Sequence, residues 1–274
     1  MRNYLRKAYE SWIDYPLRDG SRLAGGEYRI VRFLGVGSYG LTYLCEHRIT
    51  GEQAVVKQAK PSKGKLGAEL LQREAEVMAL LRHPRIPKLV GTVAAGKHAY
   101  LIMEYVEGET VEDLIFERGI TYTERASLQV LRELMEIVAY VHDQGFVHLD
   151  IRIPNVIWKG NDLHLIDFGL AKRIGAHFVP ERGMDEELVR RRTPTLSSDY
   201  YALGHFLLYL LYSSYPSADS DTQESASEGD DWEKELALSA GTTSLLRKLL
   251  QRDAPYDCDE TLLLDLKQSI QELE

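Results

Sequence analysis

Residues 147–169 read VHLDIRIPNVIWKGNDLHLIDFG. Two short apolar runs, residues 155–158 and 163–166, flank a Lys159-Gly160-Asn161-Asp162 turn, a spacing that predicts a β-hairpin. A His148-x-Asp150 loop leads into the hairpin and Asp167-Phe168-Gly169 leaves it, so Asp150, Asn155 and Asp167 stand at the ends of one small rigid element. Three oxygen-bearing side chains so placed suit a hard divalent cation together with a base that orients a hydroxyl. A lone carboxylate in a loop is usually just a solvated loop residue. The order H-x-D-x-x-x-x-N, then a hairpin, then D-F-G is much harder to reach by chance.

With these residues the stretch resembles the catalytic loop and metal loop of eukaryotic-type protein kinases. The resemblance implies an α+β, bilobal protein-kinase-like fold. Its N-lobe would be an antiparallel β-sheet with one main helix, its C-lobe mostly helical, and ATP would bind between the lobes. It also implies roles. Asp150 would orient the substrate hydroxyl, and Asn155 and Asp167 would hold Mg²⁺. Arg152 stands where serine/threonine kinases usually carry lysine and would neutralise the transferring phosphate, although a planar guanidinium is not equivalent to an ammonium. Leu149 replaces the arginine of His-Arg-Asp, which usually grips a phosphorylated activation loop. That departure implies that this chain is not switched on in that way.

Towards the N-terminus, residues 28–59 contain three β-rich runs joined by glycine turns, an antiparallel meander. The first turn holds Gly35-x-Gly37-x-x-Gly40. Glycines at this spacing let backbone N–H groups approach phosphate oxygens without a Cβ in the way. Alone the motif is weak, since many such matches are ordinary hairpin turns. Here it joins two strands instead of a strand and a helix, which rules out the dinucleotide-fold reading. By resemblance Lys57, on the next strand, is the phosphate-binding lysine, and Thr42 stands where valine usually lies under the adenine. Residues 66–82 have helical spacing and stop at His83-Pro84, because proline disfavours helix in the residue before it. Glu74, nine residues before His83, is the family's usual partner for Lys57, with Glu76 the competitor. In AYLIMEYV, residues 99–106, Met103 resembles the gatekeeper, and Glu104 to Val106 resembles the segment whose backbone binds adenine.

Residues 1–24 form an N-terminal extension, readable as a docking arm or as a short helix packed on the surface. Residues 25–104 are read as the N-lobe and 105–274 as the hinge and C-lobe. In the latter, Thr121-x-x-Glu124 reads as a capping box opening a long amphipathic helix that ends at Gly145. SSDYYALG, residues 197–204, resembles the start of the central buried helix, with Asp199 bracing the catalytic loop. No Ala-Pro-Glu precedes it. Glu186 or Glu187 falls at the glutamate's usual spacing, while Asp257 holds the place of its arginine partner and Arg252 is the nearest alternative. Arg190-Arg191-Arg192 beside Thr193, Thr195, Ser197 and Ser198 reads either as a self-phosphorylation or anion-binding patch or as a solvated loop. Residues 217–235, acidic and serine-rich, read as a mobile insertion. Two apolar-periodic helices are expected from Thr242 onward.

The 274 residues are 44% hydrophobic and 27% charged, ordinary for a globular protein. A net charge of -9 argues against bulk nucleic-acid binding. Cys45 and Cys258 have neither metal nor disulfide-framework spacing, and no apolar run reaches membrane-spanning length, so a cytoplasmic protein without a membrane span is expected. Together these features point to an ATP- and Mg²⁺-dependent serine/threonine protein kinase acting on an unknown protein substrate, resembling small bacterial members of the family. Two alternatives keep the fold. One is a pseudokinase scaffold, favoured by Leu149, Thr42 and the altered platform. The other is a small-molecule kinase of the aminoglycoside or choline kind.

Overall fold

Antiparallel strands with one apolar face build the first of the two units into which the chain divides, Met1–Glu107 and Gly108–Glu274. A computed structural model describes residues 13–37, 40–96, 98–180, 183–215 and 232–273. In the first unit β1 (Arg22–Leu23), β2 (Tyr28–Val36), β3 (Gly40–His47), β4 (Gln53–Ala59), β5 (Leu89–Ala95) and β6 (His98–Glu104) form one sheet in the order β1-β2-β3-β4-β6-β5. Every neighbouring pair is antiparallel. The alternation of the sequence puts Ile30, Leu41, Tyr43, Cys45, Val56 and Ile102 into one buried cluster. Full burial of a large apolar side chain of this kind is worth roughly 1.5–3 kcal/mol. Burial also pushes the Cys45 thiol up to about 12, which makes it a core residue and not a reactive one.

The segment read as an extension reaches into this sheet. Its Arg22–Leu23 pair with β2, and Leu17 N–H donates to the Tyr43 hydroxyl at 3.1 Å. The Asp14 carboxylate accepts from the Ser62 N–H at 2.9 Å and from its hydroxyl at 2.5 Å. Residues 1–12, on which the choice between docking arm and surface helix turns, lie outside the described residues. Helix α1 (Gly64–Leu80) buries Gly67, Leu71, Glu74, Ala75 and Met78, the i, i+4, i+7, i+8, i+11 stripe of a helix with one covered face.

The second unit contains β7 (Glu109–Thr110), α2 (Val111–Phe116), α3 (Glu124–Asp143), β8 (Phe146–Val147), β9 (Val156–Lys159), β10 (Asp162–Leu165), β11 (Lys172–Arg173), α4 (Glu186–Arg192), α5 (Leu196–Tyr212), α6 (Trp232–Glu235), α7 (Ala240–Leu249) and α8 (Asp259–Gln271). Strands β10-β9-β7 and β11-β8 form two small sheets. The hairpin has the expected form: Lys159 pairs with Asp162 across a Gly160-Asn161 turn. Helix α3 buries Leu128, Leu131, Leu134, Met135, Val138 and Val141 along one face. Helix α5 is apolar almost all round and is buried accordingly. Gly204 is required on it, since a Cβ there would lie 2.9 Å from Leu250 Cδ2 and 3.0 Å from Leu249 Cβ. Among the described residues no helix is long and apolar enough to cross a membrane.

Three expectations are corrected in this unit. The N-cap of α3 is Thr123, whose hydroxyl accepts from Ala126 N–H, and not Thr121. Glu124 is instead the first helical residue, and its carboxylate accepts from the N–H and the hydroxyl of Ser239, 115 residues away. The acidic insertion read over 217–235 ends earlier. Residues 217–231 lie outside the described residues, but Trp232–Glu235 is a helical turn with Trp232 only 1% exposed. One large aromatic buries enough apolar area to fix the chain there, whatever the composition of its neighbours. The solvated-loop reading of residues 190–198 also fails. Arg190 and Arg191 lie on α4 and stack over Tyr201 at 5.0 and 5.2 Å, and the Ser198 hydroxyl, buried, donates to Arg190 O and Thr193 O.

The platform pairing takes other partners. Glu187 pairs with Arg191 one turn along its own helix at 2.9 Å. Arg252 Nη1 lies 2.7 Å from Glu233, which also receives Arg247 at 2.9 Å, while Arg247 forks onto both oxygens of Asp253. Arg252 also stacks over the Trp232 ring at 5.2 Å.

Candidate active site

In the first unit the candidate residues gather on β2, β3, β4 and α1. Pairing of Gly35 with Thr42 and of Val36 with Leu41 brings the glycine turn to the end of the β2–β3 hairpin. Gly37 N–H donates to Gly40 O at 2.9 Å, and a Cβ on Gly40 would press on Gln58 O at 3.2 Å. Ser38 and Tyr39, at the tip, lie outside the described residues. Lys57 points from β4 to α1, where its Nζ meets Glu74 Oε1 at 2.5 Å, with side chains 12% and 3% exposed. Glu74, and not its competitor Glu76, is the residue of this pair. Removing either partner of a pair so buried typically costs about 3–5 kcal/mol, because the other charge is left without compensation. Met103 is buried on β6 opposite Val55, and Val106 is buried beyond the strand end. Glu104 N–H donates to Lys88 O at 2.9 Å and is thereby occupied.

In the second unit the candidate catalytic loop is tied down atom by atom. Asp199, 0% exposed near the start of α5, accepts from His148 N–H through Oδ2 and from Leu149 N–H through Oδ1, both at 2.7 Å. His148 is buried, and burial lowers its pKa, which keeps it neutral. Its Nδ1 accepts from Asp150 N–H at 3.2 Å, so the proton sits on Nε2 and is donated to Ile166 O at 3.2 Å. The ring packs edge-on against Phe168, centroids 4.8 Å apart. Asn155 Nδ2 donates to both the carbonyl and Oδ2 of Asp150 at 2.9 Å. Arg152 Nε lies 3.3 Å from the same Oδ2. Both donors therefore engage one oxygen of Asp150, which leaves Oδ1 as the atom able to take a proton.

The hairpin places the metal-ligand candidates. Ile166 N–H donates to Asn155 O at 2.9 Å, which sets Asp167 beside Asn155. Asp167 has a left-handed backbone, φ 65°, and its Oδ1 accepts from Gly169 N–H at 3.2 Å. No cluster of three or more His, Cys, Asp or Glu side chains arranged for a metal exists among the described residues. Asn155 and Asp167 fit a different demand. Mg²⁺ dehydrates reluctantly and is usually held by one or two protein oxygens, with substrate phosphates and water completing the shell. The Asn155 amide nitrogen is committed to Asp150, so its Oδ1 is the atom left for such an ion.

Two features of this unit were not anticipated from sequence. Arg192, at the end of α4, donates to Leu149 O, 43 residues away. His142 joins Asp199 at 3.1 Å to Asp259 at 2.9 Å, linking α3, α5 and α8. Burial would push this imidazole down, but the hydrogen bonds it donates to Asp199 and Asp259, with their negative charges, outweigh it and raise it to about 9. The cation is stabilised in the folded state relative to an unfolded value near 6.5. Its contribution is therefore complete below pH 6.5 and is lost as pH rises through about 9. Chemical denaturation at pH 6.5 and pH 9.5 is expected to show a fall in stability on the order of 3 kcal/mol. His142→Gln is expected to flatten most of that dependence, and an unchanged slope in this variant would remove His142 as its source.

Comparison with known proteins covers the stretch that holds these residues. Residues 28–256 match the family described as "Protein kinase domain". The "Probable serine/threonine-protein kinase YbdM" of Bacillus subtilis is 36% identical over 261 residues, covering 94% of this chain and 95% of that protein. "Serine/threonine-protein kinase B" of Synechocystis is 30% identical over 82% of this chain and 43% of its own length. "Serine/threonine-protein kinase pkn2" of Myxococcus xanthus is 31% identical over 87% of this chain and 31% of its own. The chain thus spans nearly all of the first relative and less than half of the other two.

Proposed function

This chain belongs to the protein kinase family, and from that premise we propose that it transfers the γ-phosphoryl group of ATP to serine and threonine hydroxyls of protein substrates. The observation that carries the reading is the state of Asp150. Its Oδ2 is fixed by Asn155 and Arg152, and its backbone is fixed by His148 and Asn155, so Oδ1 is presented as an oriented base. Phosphoryl transfer needs positioning and charge neutralisation more than covalent help from the protein, and the groups around Asp150 are of the kind that supply it. Asp150 Oδ1 would accept the hydroxyl proton. Lys57, held by Glu74, would donate to phosphate oxygens, and the Gly35–Gly40 turn would offer N–H groups to the same phosphates. Met103 and the backbone of Glu104 to Val106 would receive the adenine. Asn155 and Asp167 would hold Mg²⁺, which when bound neutralises phosphate charge. Arg152 would add a second positive charge beside Asp150.

The protein-substrate reading is supported by the three relatives, each named as a serine/threonine protein kinase. The scaffold reading loses ground because Lys57, Asp150, Asn155 and Asp167 are all present, and the first three are engaged as a working site would need. Two free cysteines, one of them buried, suit a reducing, cytoplasmic setting. The deciding experiment uses ATP labelled at the γ-phosphate, with Mg²⁺, a generic protein substrate and a panel of small alcohols. Label on protein serine and threonine is the expected result. Label confined to small alcohols would replace the reading with a small-molecule kinase, and tight ATP binding without transfer would replace it with a scaffold.

A further inference from the structure

The Leu149–Asp150 peptide carries the candidate base, and both of its neighbouring polar groups are clamped. Leu149 sits in the left-handed region, φ 63°, which a leucine rarely adopts without outside support. Behind it, Asp199 Oδ1 holds the Leu149 N–H at 2.7 Å. In front, Arg192 Nη1 donates to the Leu149 carbonyl at 3.0 Å, and its Nη2 lies 3.9 Å from Asp150 Oδ1. One guanidinium therefore reaches both the peptide that aims Asp150 and the carboxylate oxygen left for the substrate.

The arginine is itself held. Its side chain is only 28% exposed. It ends α4, whose last turn is closed by Thr193 N–H and Thr193 Oγ1 donating to Val189 O. The Ser198 hydroxyl ties Arg190 O and Thr193 O together at 2.6 Å, and Gln251 Nε2 holds Ser197 O at 3.0 Å. Its neighbours are turned elsewhere, Arg190 and Arg191 onto the Tyr201 ring and Arg191 also onto Glu187. Of the three consecutive arginines, Arg192 is the one that reaches Leu149 and Asp150.

From this geometry we infer that Arg192 is a positioning residue for phosphoryl transfer. It fixes the Leu149–Asp150 peptide and the direction of Asp150 Oδ1 from a segment that lies far away in sequence. The direction of the contact is the point of interest. Position 149 carries a buried leucine that cannot reach outward with charge, and the segment before α5 reaches inward with charge instead. The ordered state of the catalytic loop then depends on α4 being folded, with no added phosphate among the groups that hold it.

This inference rests on the kinase reading above, and its test separates the two. Wild-type protein without any transfer to protein or small alcohol would sink the kinase reading itself. With transfer established, Arg192→Met is expected to lower kcat about 10- to 100-fold, the scale of a small misplacement of a reacting group. KM for ATP is expected to stay within about twofold, because the side chain acts on the acceptor side of the reaction. Arg192→Lys is expected to fall between the two, since one ammonium cannot make a forked contact. Millimolar methylguanidine added to Arg192→Met is expected to restore part of kcat, an effect that repair of folding alone would not give. Arg29→Met, which removes an exposed arginine paired with Glu46 on the first unit's sheet, serves as the control and is expected to keep wild-type kcat. Wild-type kcat in Arg192→Met would overturn the inference, and so would a loss that neither lysine nor methylguanidine recovers.

Discussion

Asp150→Asn is expected to lower kcat for phosphoryl transfer about a thousandfold, within the range general bases contribute, while ATP binding changes less than about twofold. The substitution is isosteric, but the local donors decide how the new amide sits. Asn155 Nδ2 and Arg152 Nε both point at Oδ2, so the amide oxygen is drawn to that place. The amide NH₂ then faces the position of Oδ1 and presents a donor where an acceptor is required. The rate should be read as single-turnover transfer to a protein substrate, with nucleotide binding followed separately by displacement of a fluorescent ATP analogue. A variant within about tenfold of wild type would show that Asp150 is not the base. Loss of ATP binding in parallel would show that the carboxylate holds the nucleotide complex instead of the acceptor hydroxyl.

Asp199→Ala is expected to be the most destabilising substitution in the second unit. The carboxylate is wholly buried and accepts from His148 N–H, Leu149 N–H and His142 Nε2. Its removal leaves two buried N–H groups without acceptors, each costing about 1–3 kcal/mol. It also strips the charged His142 of one of its two carboxylates, although Asp259 remains at 2.9 Å. The expected loss is about 4–5 kcal/mol, roughly a quarter or more of the usual stability of a folded protein. Asp199→Asn keeps one acceptor oxygen and is expected to cost about half as much. Denaturant unfolding of the two variants would check the ranking. A loss below about 1 kcal/mol for the alanine variant would mean that water replaces the carboxylate, contrary to its burial.

Much of the fold was legible because its signals are local. The hairpin at Gly160-Asn161, the strand alternation through β2 to β4 and the helical stripe of α1 each lie within a short window whose period fixes the structure. The residues Asp150, Asn155 and Asp167 were readable for the same reason, since they flank one hairpin. Glu74 could be chosen over Glu76 because it lies nine residues before His83, the spacing that the resemblance implies, and the Lys57 contact at 2.5 Å falls on that residue.

The parts that escaped the sequence depend on contacts between distant segments. Arg192 meets Leu149 across 43 residues and His142 meets Asp259 across 117, and no periodicity carries either pair. The start of α3 was misplaced because two threonines, at 121 and 123, compete for one cap, and tertiary contact of Glu124 with Ser239 decided it. Trp232 was hidden by averaging. A window of acidic and serine residues looks unable to fold, yet its last members are held by a single buried indole and by Arg247 and Arg252 on Glu233.

The burial of Leu149 also constrains which side chains position 149 can accept. With 4% exposure the side chain is buried, so an arginine introduced there would have to bury its charge, which is costly unless it is paired. Its carbonyl is already claimed by Arg192. A single substitution to His-Arg-Asp would therefore lower stability unless the contacts around it changed as well. Positions 149 and 192 are coupled through that carbonyl, so a charge placed at 149 would act on the same contact that Arg192 now makes.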